Sequence, residues 1–105
     1  MLNQIILVGR IANDVIETKD IETGKKVTYI TLAIPRAFKN AEGVYDTDFI
    51  DCTLWNSVAE NTAGYCKKGD IVGVKGRVEC NRENNENKIR VVAEKVTFLS
   101  SKGDK

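Results

Sequence analysis

The chain has 105 residues, enough for one small self-folding core and no second one, and 42% of them are hydrophobic, as in a soluble globular domain. Three cysteines, odd in number and in no CxxC pair, and the absence of histidine argue against a disulfide framework, a zinc site and the commonest general base near neutral pH. Sixteen basic residues stand against fifteen acidic ones, a formal net charge of +1, so a polyanion-binding surface requires uneven placement of the cations.

The N-terminal stretch lacks a basic leader and a long apolar run, because Arg10 interrupts the one candidate; neither secretion nor membrane insertion is expected. Asn3 to Ile11 reads as a first strand. Ile5, Ile6, Leu7 and Val8 are apolar at both parities, so both faces need cover. One face meets the core. The other points to a homo-oligomer built partly on this strand, the alternative being cover by the chain's own helix.

Val15 to Glu22 alternates weakly and ends in the turn Glu22-Thr-Gly-Lys25. Val27 to Ile34 alternates clearly, with Ile30, Leu32 and Ile34 inward and Tyr29, Thr31 and Ala33 outward; Pro35, the single proline, stands at its end. Arg36, Phe38 and Lys39 then combine a flat ring with positive charge, and Asn40-Ala-Glu-Gly43 closes a hairpin.

Tyr45 to Gly69 is the centre of the chain. On its strand Ile50, Cys52 and Leu54 share one face, and Phe49, Asp51, Thr53 and Trp55 share the other. Core packing is already supplied by the first set, so two rings beside Asp and Thr read as a surface awaiting a ligand. Ser57-Val-Ala-Glu60 has the spacing of a capping box, and Lys67, Lys68 and Gly69 suit a helix C-terminus. Cys52 and Cys66 read as small buried hydrophobes and Cys80 as an incidental thiol.

From Asp70 to Val78, Val72, Val74 and Val78 take one side and Lys75 and Arg77 the other, while Gly73 and Gly76 mark a bend of the kind a closing barrel needs. Asn81 to Lys88 is a wholly polar turn, Ile89 to Leu99 is the last strand, and residues 101–105 read as a frayed tail behind a domain of residues 1–100. Five strands with one helix between the third and fourth is the order of an all-β OB-fold barrel.

These residues resemble the bacterial single-stranded DNA-binding protein family over nearly the whole chain. Asn3-Gln-Ile-Ile-Leu-Val-Gly-Arg10 is similar to its opening strand, Ile30-Thr-Leu-Ala33 to its second, and Asp48-Phe-Ile-Asp-Cys-Thr-Leu-Trp55 to its aromatic third. Ala59-Glu60 falls in its helix, and Lys67-Lys-Gly-Asp70 with Val74-Lys-Gly-Arg77 resembles its fourth-strand entry. The resemblance implies an OB fold, usually a homotetramer and otherwise a dimer. It also implies sequence-independent binding and protection of single-stranded DNA in replication, recombination and repair, without catalysis. The missing leader and apolar span lead us to expect a cytoplasmic, nucleoid-associated chain, and no cofactor or metal is expected.

Carried over residue by residue, Phe38, Phe49 and Trp55 match base-stacking positions, and Arg10, Arg36, Lys67, Lys68 and Arg82 match positions that are basic in some members. Lys75 and Arg77 join the phosphate contacts mainly on their facing, and Lys39 on its place beside the Phe38 ring. The chain departs from the pattern in a shorter final hairpin, in Glu83 where an aromatic stacker is expected, and in Glu79, Asn81 and Asp51 where some members carry basic groups. The Gly- and Pro-rich tail with an acidic tip is absent, so recruitment of partner proteins by such a tip is not expected.

Two other classes fit less well. The near-neutral charge and short hairpin favour a dimeric interaction module of a primosome or mobile-element replication complex that touches DNA weakly, but the aromatic strand disfavours it. A metal-dependent nuclease would need Asp46, Asp48 and Asp51 to converge, and a regular strand points Asp51 away from the other two.

Overall fold

The computed structural model describes residues 1–100. The expected frayed tail, residues 101–105, lies outside the described residues. The elements run β1 (Ile5–Ile11), β2 (Thr18–Lys19), β3 (Lys26–Lys39), β4 (Tyr45–Trp55), α1 (Asn56–Tyr65), β5 (Ile71–Glu83) and β6 (Glu86–Ser100).

The hydrogen-bonded order is β1-β5-β6-β4-β3, and β1 also pairs with β3 through Arg10 opposite Ala33 and Ile11 opposite Leu32. That last pairing closes the sheet on itself. β4 and β6 run parallel and every other pair is antiparallel. The result is a five-stranded mixed barrel with one helix, an OB fold, and β2 is only a two-residue strip on the edge of β3.

Alternation fills the barrel as the sequence predicts. Ile11, Ile30, Leu32, Cys52, Leu54, Val72 and Val74 are fully buried, and Ala59 of the helix plugs the same core. Burial pushes the thiols of Cys52 and Cys66 up to about 11, whereas Cys80 is exposed.

Five local expectations are corrected. The helix starts at Asn56, at φ 54°, directly behind an extended Trp55 at its N-cap, and no side chain caps it. Ser57 and Glu60 form no capping box because the Glu60 carboxylate accepts a hydrogen bond from Lys26 Nζ of β3 at 3.0 Å. Lys67, Lys68 and Gly69 fall beyond the last helical turn, in a separate turn held by Asp70 Oδ2 on the Lys67 N–H at 3.0 Å and by Gly69 at φ 101°.

β3 does not stop at Pro35 but continues to Lys39, tolerating the missing donor where the register against β4 shifts. Residues 81–88 are not a long turn either: the β5–β6 ladder runs on to Glu83 opposite Glu86, and Asn84 and Asn85, at φ 50° and 64°, make a two-residue turn. Ladder hydrogen bonds need no apolar side chains, and paired left-handed residues match the twist of a hairpin. Of the two glycines expected at the barrel bend, only Gly76 is required there. A Cβ on it would lie 2.1 Å from the Val92 carbonyl oxygen, at the register shift between Lys75 and Gly76, whereas Gly73 has only ordinary contacts around it.

Candidate nucleic-acid interface

The outer face of the barrel carries two cross-strand rows. In the first, Ile71, Arg10, Ala33 and Phe49 stand opposite one another across β5, β1, β3 and β4. In the second, Arg77, Val92, Thr53 and Tyr29 do so across β5, β6, β4 and β3. Neighbouring strands lie about 4.8 Å apart, so Arg10 stands roughly 10 Å from Phe49 with only the small Ala33 between them.

Phe49 is 65% exposed and Phe38 71%, so neither ring belongs to the core. Trp55 is half-buried at the end of β4, opposite Val27, and stands six positions on from Phe49, about 20 Å along the strand. Tyr29, 55% exposed, fills the gap from the neighbouring strand. Sequence reasoning placed Tyr29 outward but gave it no role, because its cross-strand position opposite Thr53 depends on a register that a single sequence does not reveal.

Two clefts follow from this arrangement. One, of about 510 Å³, is bounded by Tyr29, Phe49, Asp51, Thr53, Ile89 and Arg90 among others; Ile89 is 70% exposed, and sequence reasoning places it in the last strand without a role at the site. The other, of about 390 Å³, gathers Thr23, Lys25, Trp55, Asn56, Arg77, Glu79 and Arg90. Phe38 stands outside both, on the arm that β3 and β4 extend past Pro35, with Lys39 Nζ 5.7 Å from the centre of the Tyr45 ring beside it.

The expected cations are dispersed. Arg10 donates to the Gly69 carbonyl at 2.7 Å, which fixes it next to the Lys67–Lys68 turn. Arg36 holds Asp48 through Nε at 3.1 Å and Nη2 at 2.9 Å, with Asp46 at 3.9 Å. Those hydrogen bonds keep the Asp48 carboxyl below its ordinary range and raise the Arg36 guanidinium. Arg77 is bound by Glu79 and Glu94.

Lys75 lies in a different row, between Ile6 of β1 and Lys95 of β6, and is not brought to the rings. Arg82 is exposed near the tip of the β5–β6 hairpin, opposite Asn87. Among the described residues no carboxylate pairs with Lys67, Lys68, Lys75 or Arg82. Nor does any group of three or more acidic or sulfur side chains among them approach closely enough to hold a metal ion. Asp48 is taken by Arg36, and Asp51 accepts a hydrogen bond from the Thr31 hydroxyl at 2.6 Å on the aromatic face.

No helix of the described residues is long and apolar enough to cross a membrane. In fold, the chain matches the crystal structure of the SSB domain of a Synechococcus protein with a TM-score of 0.72 at 17% identity, over 93% of this chain and 97% of that one. In sequence it is 42% identical over 107 residues to the single-stranded DNA-binding protein B of Bacillus subtilis, covering 97% of this chain and 94% of that protein. It is 44% identical to the single-stranded DNA-binding protein 3 of Listeria innocua and 42% identical to the single-stranded DNA-binding protein of Halalkalibacterium halodurans. The chain spans 66% and 64% of the length of these two. The family model described as the single-strand binding protein family matches residues 2–99, and with relatives this similar along the whole barrel, the chain belongs to that family.

Proposed function

We propose that the chain binds single-stranded DNA without reading its sequence, by stacking bases on exposed rings and holding phosphates with cations at their margins. The observation that carries this reading is the exposure of Phe38 and Phe49 on an outer face that the barrel does not use for its own packing. Every base has a flat π-face, so a ring platform accepts any nucleotide, and each stacked base contributes about 1–3 kcal/mol by alanine substitution. Relatives named as single-stranded DNA-binding proteins support it. Their family is one of binding proteins, and the chain is not an enzyme.

In this reading Phe49, Tyr29 and Trp55 form the stacking track along β3 and β4, and Phe38 extends it on the hairpin arm. Arg10 with Lys67 and Lys68 serves phosphates at one end of that track, Arg36 and Lys39 serve the arm, and Arg82 the β5–β6 hairpin. Replication, recombination and repair are the processes such a coat would serve.

Self-association through β1 completes the reading. Ile6 is 68% and Val8 53% exposed on the outer face of that strand, beside Lys75 and Gly73, and two aliphatic side chains in a row there fit burial against another copy.

Titration of the single tryptophan's fluorescence with oligo-dT tests the proposal. Quenching that saturates, and an affinity that falls with log salt by about 0.7 per neutralised phosphate, is the expected result. Unchanged emission and no retention of labelled oligo-dT at micromolar protein in low salt would sink it.

A further inference from the structure

The second cleft holds a relationship that the general reading leaves unused. Arg77 and Glu79 lie two residues apart on β5 and therefore on one face, and Arg90 of β6 stands directly opposite Glu79. Glu79 Oε2 accepts from Arg77 Nε and Nη2 at 3.0 and 2.8 Å, and Oε1 accepts from Arg90 Nε and Nη2 at 3.3 and 3.1 Å. One carboxylate thus fills the donor forks of two arginines, side by side with Trp55 and Lys25. Glu94 takes the remaining outer nitrogen of Arg77 at 3.0 Å.

We infer that Arg77, Arg90 and Lys25 form a phosphodiester-binding site next to Trp55, and that Glu79 occupies it from within, its carboxylate standing where a strand phosphate would bind. A guanidinium fork accepts carboxylate and phosphate oxygens in the same in-plane geometry, so the two anions compete for the same donors. The competition is close. Side chains of Arg77, Arg90 and Glu79 are 41%, 41% and 32% exposed, and ion pairs this open to water contribute little, so a strand already anchored on Trp55 can displace the carboxylate. The two arginines and two glutamates sum to zero charge, leaving Lys25 as the net attraction of the cleft until Glu79 is removed or neutralised.

This inference rests on the proposed single-stranded DNA binding, and the test separates the two. Wild type, Glu79→Gln and the double variant E79Q/R90Q are titrated with labelled oligo-dT over a salt series, after thermal melts establish that each is folded. Glutamine keeps the length and an acceptor oxygen but removes the competing charge. Glu79→Gln is expected to bind several-fold more tightly at low salt, with a log–log salt slope steeper by about 0.7 to 1.4, one or two additional phosphates. Adding R90Q should take most of that gain back.

If wild type binds and Glu79→Gln has the same affinity and slope, the masked site is wrong while the general reading stands. If neither binds, both fall. If Glu79→Gln proves unfolded, Glu79→Ala and a charge-reduced Glu94→Gln are read by the same slope, and an unchanged slope in both overturns the inference.

Discussion

Gly76 and Val92 approach more closely than any side chain would allow: a Cβ at 76 would sit 2.1 Å from the Val92 carbonyl oxygen and 3.0 Å from the Ala93 Cα. Both neighbours are backbone, so no rotamer change can relieve the clash, and the barrel would have to open at the point where β5 and β6 shift register. Gly76→Ala is therefore expected to destabilise the fold by about 3 kcal/mol, a fall in melting midpoint of more than roughly 10 °C at this length. Gly73→Ala is the control. Its nearest contact would be Leu99 Cδ1 at 3.7 Å, ordinary packing, so its stability should change by less than about 1 kcal/mol. Equal melting curves for the two variants would refute the assignment.

The rings on the outer face should separate binding from folding. Phe49 and Tyr29 are mostly exposed, so replacing either with alanine removes little buried area, and the melting midpoint should stay near that of the parent. Oligo-dT affinity should drop about 5- to 100-fold for Phe49→Ala, the equivalent of roughly 1–3 kcal/mol of lost stacking. Tyr29→Ala should show a smaller drop in the same direction. An affinity loss matched by a collapse of the melting curve would instead place these rings in the core.

What could be read from residue order was whatever depends on period two. The buried set Ile30, Leu32, Cys52 and Leu54 and the outward placement of Phe49 follow from alternation alone, and the structure agrees. What could not be read depends on which strand stands beside which. The row that joins Arg10 to Phe49 crosses two strand boundaries and the row that joins Arg77 to Tyr29 crosses three, and the β1–β3 contact that closes the barrel spans residues over twenty apart in sequence. Local signals also lose to tertiary partners. Glu60 has the right spacing to cap its own helix, but Lys26, at the start of β3 beside the helix N-cap, claims it.

Acid should weaken the fold in a defined direction. Asp48 and Glu79 both have folded values below the ordinary carboxylate range, Asp48 through hydrogen bonds from Arg36 and Glu79 through those from Arg77 and Arg90. A depressed folded value means that the unfolded chain takes up the proton first. The stabilisation from these pairs is thus present above the unfolded values, near pH 4, and is lost as pH falls through the lower folded ones. The melting midpoint should decline from about pH 5 downward, and Asp48→Asn should flatten that decline in part by lowering the midpoint slightly above pH 5, where the ionised pair contributes, while leaving it nearly unchanged at the acid end. Their exposure to solvent keeps the effect small.

The first strand offers the last test. Ile6 and Val8 project from β1 on the face that bears Lys75 and Lys95, and the fold itself covers neither. An exposed aliphatic pair on a strand invites association, and charges of one sign placed there both remove the apolar contact and set like charges against the copy it would meet. The double variant I6E/V8E should sediment as a monomer where the parent sediments as an oligomer. Since both side chains point to solvent in the single chain, the monomer should keep its circular dichroism spectrum. Phe49 and Arg10 lie in a different row, so its affinity for a short oligo-dT, too short to span two copies, should stay within a few-fold of the parent's. A parent that is already monomeric, or a variant that still associates, would move the contact away from β1.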